Sequence, residues 1–282
     1  MNTLQDRHIL VLGLGLSGLA MARWCARHGA RVTVADTREA PPQLGALQAE
    51  IPTARFVAGP LEAALLQDES ISAVYRSPGL LPTELASLSA AARERGLPMG
   101  GELSLFAQAL GVLKAERGYS PAVLAITGTN GKTTVTSLTG QLVERAGKSV
   151  VVAGNIGPSL LDMLGQAMDQ EALPEVWVLE LSSFQLDAVA EFEPTAATIL
   201  NLTQDHLDWH GDMAAYAAAK AKVFGASGVM ILNRDDPLVI AQRPPAPVGK
   251  AARLPQRPVL TFGAGLPTAP SDFGIEMVNG MA

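Results

Sequence analysis

The sequence predicts a doubly wound α/β chain in two domains. Three observations carry this. Short apolar runs alternate with helix-like segments, a glycine turn follows the first run, and a different glycine loop follows a run at mid-chain. The 282 residues are 48% hydrophobic and 17% charged, an ordinary globular composition. That length favours two domains of roughly 100–200 residues each.

HILVL (8–12) reads as a buried strand, GLGLSG (13–18) as a tight turn, and Ser17–His28 carries helical periodicity. ARVTVA (30–35) is a second strand, ending at Asp36-Thr37-Arg38. ISAVYRS (71–77) is stopped by Pro78-Gly79, and LPTELASLSAAARERG (81–96) is helix-like. A composition shift across Gly96–Gly101 marks a boundary, giving expected domains 1–100 and 101–282. A second α/β series follows: VLAIT (123–127), a helix over 132–146, SVVVAG (149–154), EVWVLEL (175–181), TAATILNL (195–202), VMILN (229–233) and PVLTFG (258–263). The last 40 residues are rich in proline and glycine, with one clear strand and no helix to cover it. The second domain is therefore expected to be incomplete at its C-terminal end.

A formal net charge of −6 gives no electrostatic footprint for nucleic acid. The one cysteine, Cys25, forms no internal disulfide and fits a reducing compartment. The N-terminal run is interrupted by glycines, unlike a signal peptide, and no 18-residue apolar run follows. The expectation is a cytosolic monomer with no membrane partner.

Gly13-x-Gly15-x-x-Gly18 lies between a strand and a helix, and Asp36 ends the next strand. Glycines let the backbone approach a diphosphate at a helix N-terminus, and the acid can take a ribose hydroxyl. NAD is the first reading of such a site, although the motif specifies a diphosphate better than it specifies a nucleotide. In the second loop, Gly128-Thr129-Asn130-Gly131-Lys132-Thr133-Thr134 offers backbone amides, a lysine and a hydroxyl for phosphate and Mg²⁺. It departs from the usual phosphate-loop spacing, because Ile126 stands five residues before Gly131. A dehydrogenase needs only the first loop.

Glu180 ends a strand, where open α/β sheets place ligand groups. It reads as a Mg²⁺ ligand or as a cap for a helix starting near Ser182-Ser183. Asn155, in Gly154-Asn155-Ile156-Gly157, reads as a phosphate donor or a turn asparagine. Asp205, His206, Asp208 and His210 cluster after another strand. The i, i+4 histidines lack the glutamate or cysteines of a zinc site, and an oxygen-liganded magnesium fits better. Lys220 and Lys222 read as solvated helix residues.

GTNGKTT, GNIG, ELSSFQL, ILNLTQDHLDWHG, the lysine of YAAAK and ILNRDD, in that order, resemble the Mur ligase family of ATP-dependent amide-forming enzymes in peptidoglycan synthesis. The resemblance runs from about residue 8 to about 263. GLGLSGLA with Asp36-Thr37-Arg38 and Ser77-Pro78-Gly79 is similar to the branch that adds D-glutamate to UDP-N-acetylmuramoyl-L-alanine. It implies a Rossmann-like first domain holding the UDP substrate through Gly15, Leu16, Ser17, Asp36, Thr37, Arg38, Ser77, Pro78, Gly79 and Asn155. It implies a central domain binding ATP through residues 128–134, with Lys132, His206 and Lys220 catalytic. Thr133, Glu180, His206 and a carbamylated Lys220 would serve Mg²⁺. The implied reaction passes through an acyl phosphate attacked by the amine of D-glutamate. The family's C-terminal domain is expected to be missing from this chain. An NAD-dependent oxidoreductase, a non-catalytic nucleotide-binding module, and a sibling or folylpolyglutamate-type ligase are the alternatives.

Overall fold

A computed structural model describes residues 3–189, 191–245, 256–276 and 278. The chain forms two compact units. One comprises Met1–Ser120, Ala153–Leu173 and Ala188–Glu191; the other comprises Pro121–Val152, Pro174–Asp187 and Phe192–Ala282.

In the first unit the strands are β1 (His8–Leu12), β2 (Arg31–Asp36), β3 (Arg55–Ala58), β4 (Ile71–Arg76) and β5 (Met99–Gly100). They form one parallel sheet in the order β3-β2-β1-β4-β5. All five residues of β1 are buried, which is why HILVL is a continuous apolar run and not an alternating one. Leu10 and Leu12 pack with Ala35, Val74, Leu85 and Leu88. The connections reverse direction between β1 and β4, and such a reversal leaves a crevice at the carboxyl ends of the strands.

Helix α1 (Leu16–Arg27) follows β1, α2 (Leu44–Glu50) leads into β3, and α3 (Ala86–Glu94) precedes β5. Helix α4 (Glu102–Arg117) ends at Gly118, whose φ of +67° is the left-handed turn that glycine adopts without strain. The sequence reading did not name α4. Its first half is buried almost all round, so it lacks the one-sided apolar stripe that marks a surface helix.

Within the second unit are β6 (Ala122–Thr127), α5 (Lys132–Arg145) and β7 (Val150–Gly154), the last continuing into the first unit. Helix α6 (Leu160–Asp169) belongs to the first unit, where it packs on α1 and α4. Its N-cap Ser159 accepts the Asp162 amide at 3.2 Å. Arg27 of α1 donates to both carboxylate oxygens of Asp169, at 2.7 and 2.5 Å. The division expected at 100/101 lies inside this unit, between β5 and α4.

The second unit continues with β8 (Val176–Glu180), α7 (Ser183–Asp187), β9 (Ala196–Ile199), α8 (Leu207–His210) and α9 (Met213–Ala221). It ends with β10 (Val229–Asn233), α10 (Pro237–Ile240), β11 (Val259–Phe262) and β12 (Asp272–Phe273). The sheet order is β12-β11-β10-β9-β6-β8-β7. β6 lies between β8 and β9, with Ile126 opposite both Glu180 and Thr198. The ends of β6, β8 and β9 therefore emerge side by side on one edge. Among the described residues no helix is long and apolar enough to cross a membrane.

Candidate functional site

The glycine loop of the first unit divides its three glycines between different tasks. Gly13 has φ +82°, and a Cβ there would meet Ser77 at 3.0 Å. A Cβ on Gly18 would sit 1.9 Å from the Gly13 carbonyl oxygen, so this position is closed to any side chain. Gly15 has neither reason: its φ is −95°, and a Cβ would meet nothing within 4 Å. The protein alone does not require glycine at 15, and the space above it is open. Leu16 beside it is 74% exposed, an apolar side chain turned to solvent at the helix start. No side chain caps this N-terminus and no acid lies in its first turn, which leaves the first amides available to an anion.

Asp36 does not play the part first read for it. The Leu14 amide donates to Oδ2 at 2.7 Å, while the Arg38 amide, Nε and Nη2 donate at 2.9, 2.8 and 2.7 Å. A carboxylate has about four acceptor positions, and all are taken. Hydrogen bonds from Arg38, above all, hold its pKa down to about 2 against the opposing effect of burial. Asp36 organises the loop and Arg38, and has no acceptor left over for a ribose hydroxyl. Thr37 and Arg38 are themselves exposed. Ser77 donates to Gly13 O at 2.9 Å and fixes the lip that continues through Pro78 and Gly79. Asn155 is exposed in a tight turn closed by Gly157 N to Gly154 O at 2.9 Å.

In the second unit, the loop after β6 is held by the segment after β9. Asn130 N donates to Asn201 Oδ1 at 2.8 Å and Asn201 Nδ2 returns a bond to Asn130 O at 3.0 Å. Thr129 N donates to Asn201 O at 3.0 Å, and the Thr129 hydroxyl meets Tyr216 Oη at 3.1 Å. Gly128 (φ +156°) passes so close to Leu200 that a Cβ would touch it at 3.0 Å. Lys132 Nζ is folded over the loop, donating to Gly128 O and Thr129 O at 3.0 Å each. Thr133 and Thr134 follow in the first turn of α5, which has no side-chain cap and no acid. These are the features of a phosphate cradle.

Lys220 lies against the loop and corrects the expectation of a solvated lysine. It is 2% exposed, and Nζ donates to Gly128 O at 2.9 Å and Thr127 Oγ1 at 3.3 Å. Burial, reinforced by repulsion from Lys132, lowers its pKa to about 7, with Asp205 opposing. Lys222 remains partly exposed and donates to Asp187 O at 2.7 Å. Glu180 is 1% exposed. Ser182 and Gln185 between them cap the start of the helix that follows it. Ser182 N donates to Gln185 Oε1 at 3.0 Å, and Gln185 N donates to Ser182 Oγ at 3.3 Å.

His206 has a left-handed backbone (φ 52°), with its ring 4.7 Å from Phe184 and Nε2 3.4 Å from Asp205. His210 is turned elsewhere, its Nε2 at 2.9 Å from Ser183 Oγ and its pKa lowered mainly by burial. Among the described residues no three His, Cys, Asp or Glu side chains form a metal nest by themselves.

Sequence reasoning missed Asn201 and Tyr216. The available signals were an asparagine directly after β9, and a tyrosine one helical turn before Lys220.

Family models match twice. The Mur ligase MurD-like N-terminal domain covers residues 7–101, and the Mur ligase middle domain covers residues 126–253. A UDP-N-acetylmuramoylalanine–D-glutamate ligase from Albidiferax ferrireducens is 64% identical over 282 residues, covering 100% of this chain and 56% of the relative. Ligases of the same name from a Polaromonas species and Burkholderia vietnamiensis are 49% and 60% identical. They cover 100% and 97% of this chain, and 63% and 54% of their own lengths. The chain spans somewhat more than half the length of the curated relatives it matches.

Proposed function

The chain belongs to the Mur ligase family, and from that premise we propose that it is the UDP-substrate- and ATP-binding part of a cytoplasmic ligase. The proposed reaction joins D-glutamate to UDP-N-acetylmuramoyl-L-alanine. The observation that carries the reading is Lys220, a buried lysine whose Nζ lies against the phosphate loop and whose pKa is lowered to about 7. A simple nucleotide-binding module has no use for it.

In this reading the amides at Gly15, Leu16 and Ser17, with Asn155, hold the diphosphate of the UDP substrate. Thr37 and Arg38 face the uracil end, while Asp36 keeps Arg38 in place and Ser77-Pro78-Gly79 shape the opposite lip. The loop 128–134 cradles ATP, and Lys132 neutralises charge on the transferred phosphoryl group. ATP supplies that group to the alanyl carboxylate, making an acyl phosphate and releasing ADP; a bound Mg²⁺ would supply charge screening between the two anions. Glu180 and Thr133 would supply the hard oxygen ligands that magnesium takes, and His206, in the segment after β9, is the third residue this reading assigns to it. A neutral lysine adds CO₂ through its nitrogen lone pair, forming an N–C bond and releasing one proton. The resulting carbamate is an anionic oxygen ligand where an ammonium would repel the cation. No nucleophilic side chain is called for, since the D-glutamate amine displaces phosphate directly.

Calorimetry tests the reading. The chain is expected to bind UDP-N-acetylmuramoyl-L-alanine and ATP–Mg²⁺, and NAD weakly or not at all. NAD saturating the protein while the UDP substrate gives no heat overturns it.

A further inference from the structure

Glu102, the first residue of α4, is a buried carboxylate that no step above uses. It is 4% exposed, and burial raises its pKa. The Leu161 amide donates to Oε1 at 3.2 Å, and the nearby Leu160 amide and Ser17 hydroxyl favour its charged form. Asp162 nearby is a like charge. Among the described residues no cation pairs with it. A buried charge in that position is costly unless its hydrogen bonds are retained for a reason.

Its partners suggest the reason. Ser17 is the second residue of α1, two after Gly15, and Leu160 and Leu161 open α6 a few residues after Asn155. The three helices pack on one another within one unit. One carboxylate thus ties together two segments, 140 residues apart in sequence, that flank a single diphosphate in the reading above. Glycine precedes it at 101, with Ala188 Cβ only 3.3 Å from where a Cβ would be, so α4 enters this junction tightly.

We infer that Glu102 is a positioning residue for the UDP-substrate site, setting the spacing between the glycine loop and the Asn155 turn through Ser17 and the start of α6. This rests on the reading of residues 13–18 and 155 as the UDP-substrate site. It adds a residue that does not itself touch the ligand.

The test is calorimetry of the 282-residue chain with UDP-N-acetylmuramoyl-L-alanine and separately with ATP–Mg²⁺, for wild type, Glu102→Ala, Glu102→Gln, Ser17→Ala and the Ser17→Ala/Glu102→Ala pair. Glu102→Ala is expected to weaken the UDP substrate about tenfold or more while ATP–Mg²⁺ changes less than about twofold. Glu102→Gln keeps an acceptor for the α6 amides and is expected to lose only about threefold. The double variant should lose less than the product of the single losses, because both changes cut one link. Unchanged UDP-substrate affinity in Glu102→Ala overturns the proposal alone. So does a parallel loss of both ligands, or strict additivity. If Glu102→Ala does not fold, Glu102→Gln decides: selective loss supports the proposal and unchanged affinity overturns it. A wild-type chain that gives no heat with the UDP substrate refutes the site reading itself, and the proposal with it.

Discussion

Asp36 and Lys220 are opposite cases of one chemistry, a charge set by its neighbours. For Asp36 the folded pKa lies below the unfolded one, so its contribution to stability is present above the ordinary value of 3.8 and is lost as pH falls through about 2. The shift corresponds to about 2 kcal/mol at most, and the exposure of Arg38 trims this to about 1–2. Asp36→Asn is therefore expected to melt well below wild type at pH 7, with the gap closing between pH 4 and pH 2 in a series of thermal melts. A constant gap across that range contradicts the assignment. Lys132 is the matching probe of the other loop. Lys132→Ala is expected to weaken ATP–Mg²⁺ about tenfold or more and leave UDP-substrate affinity nearly unchanged, as titration of a folded variant can show. Lys132 was legible because a lysine after two glycines has one well-understood use. Lys220 was not legible from its surroundings: YAAAKAK has no local sign of burial, and only the folded chain brings its Nζ to the Gly128 carbonyl.

Among the elements, the strands were the most readable, and for a physical reason. Strands of a sheet covered on both faces must be apolar throughout, so HILVL stands out as a run and matches β1, buried at every residue. α4 escaped because it is packed on several sides, and β3 because RFVA is a short, half-exposed edge strand; α6 carries a one-sided apolar face, Leu160, Leu161, Leu164 and Ala167, that the reading passed over. The glycine turn before α1 gives the sharpest test at this scale. Gly18→Ala forces a Cβ into a backbone oxygen and is expected to cost about 2 kcal/mol or more by denaturant unfolding. Gly15→Ala puts a methyl into open space and should cost less than about 1 kcal/mol. The same Gly15→Ala is nevertheless expected to weaken the UDP substrate about tenfold. If Gly15→Ala leaves that affinity intact, the open space at 15 is not where the diphosphate lies.

For the whole molecule, two glycine loops were legible, one in each unit, and the proposal that they serve different phosphate ligands follows from having two. The continuity of the units was not legible. On the proposed reading, the 282-residue chain is expected to bind the UDP substrate and ATP–Mg²⁺ without releasing phosphate in a D-glutamate-dependent way at ordinary enzyme rates. Orienting an amine against an activated carboxylate is worth about 7–11 kcal/mol, and no residue described above performs that task. A phosphate-release assay with and without D-glutamate checks this, and brisk D-glutamate-dependent release contradicts it. The first unit takes back residues 153–173 after the chain has made β6 and α5. During synthesis, α1 and α4 leave the ribosome well before α6, which arrives only after some 50 further residues, on the order of 3–10 s later. Through that interval the seam that α6 will cover lies open to water and to other chains. The N-terminal unit is thus begun first but cannot be finished first, and a nascent chain stalled before residue 160 would present that seam to any chaperone able to reach it.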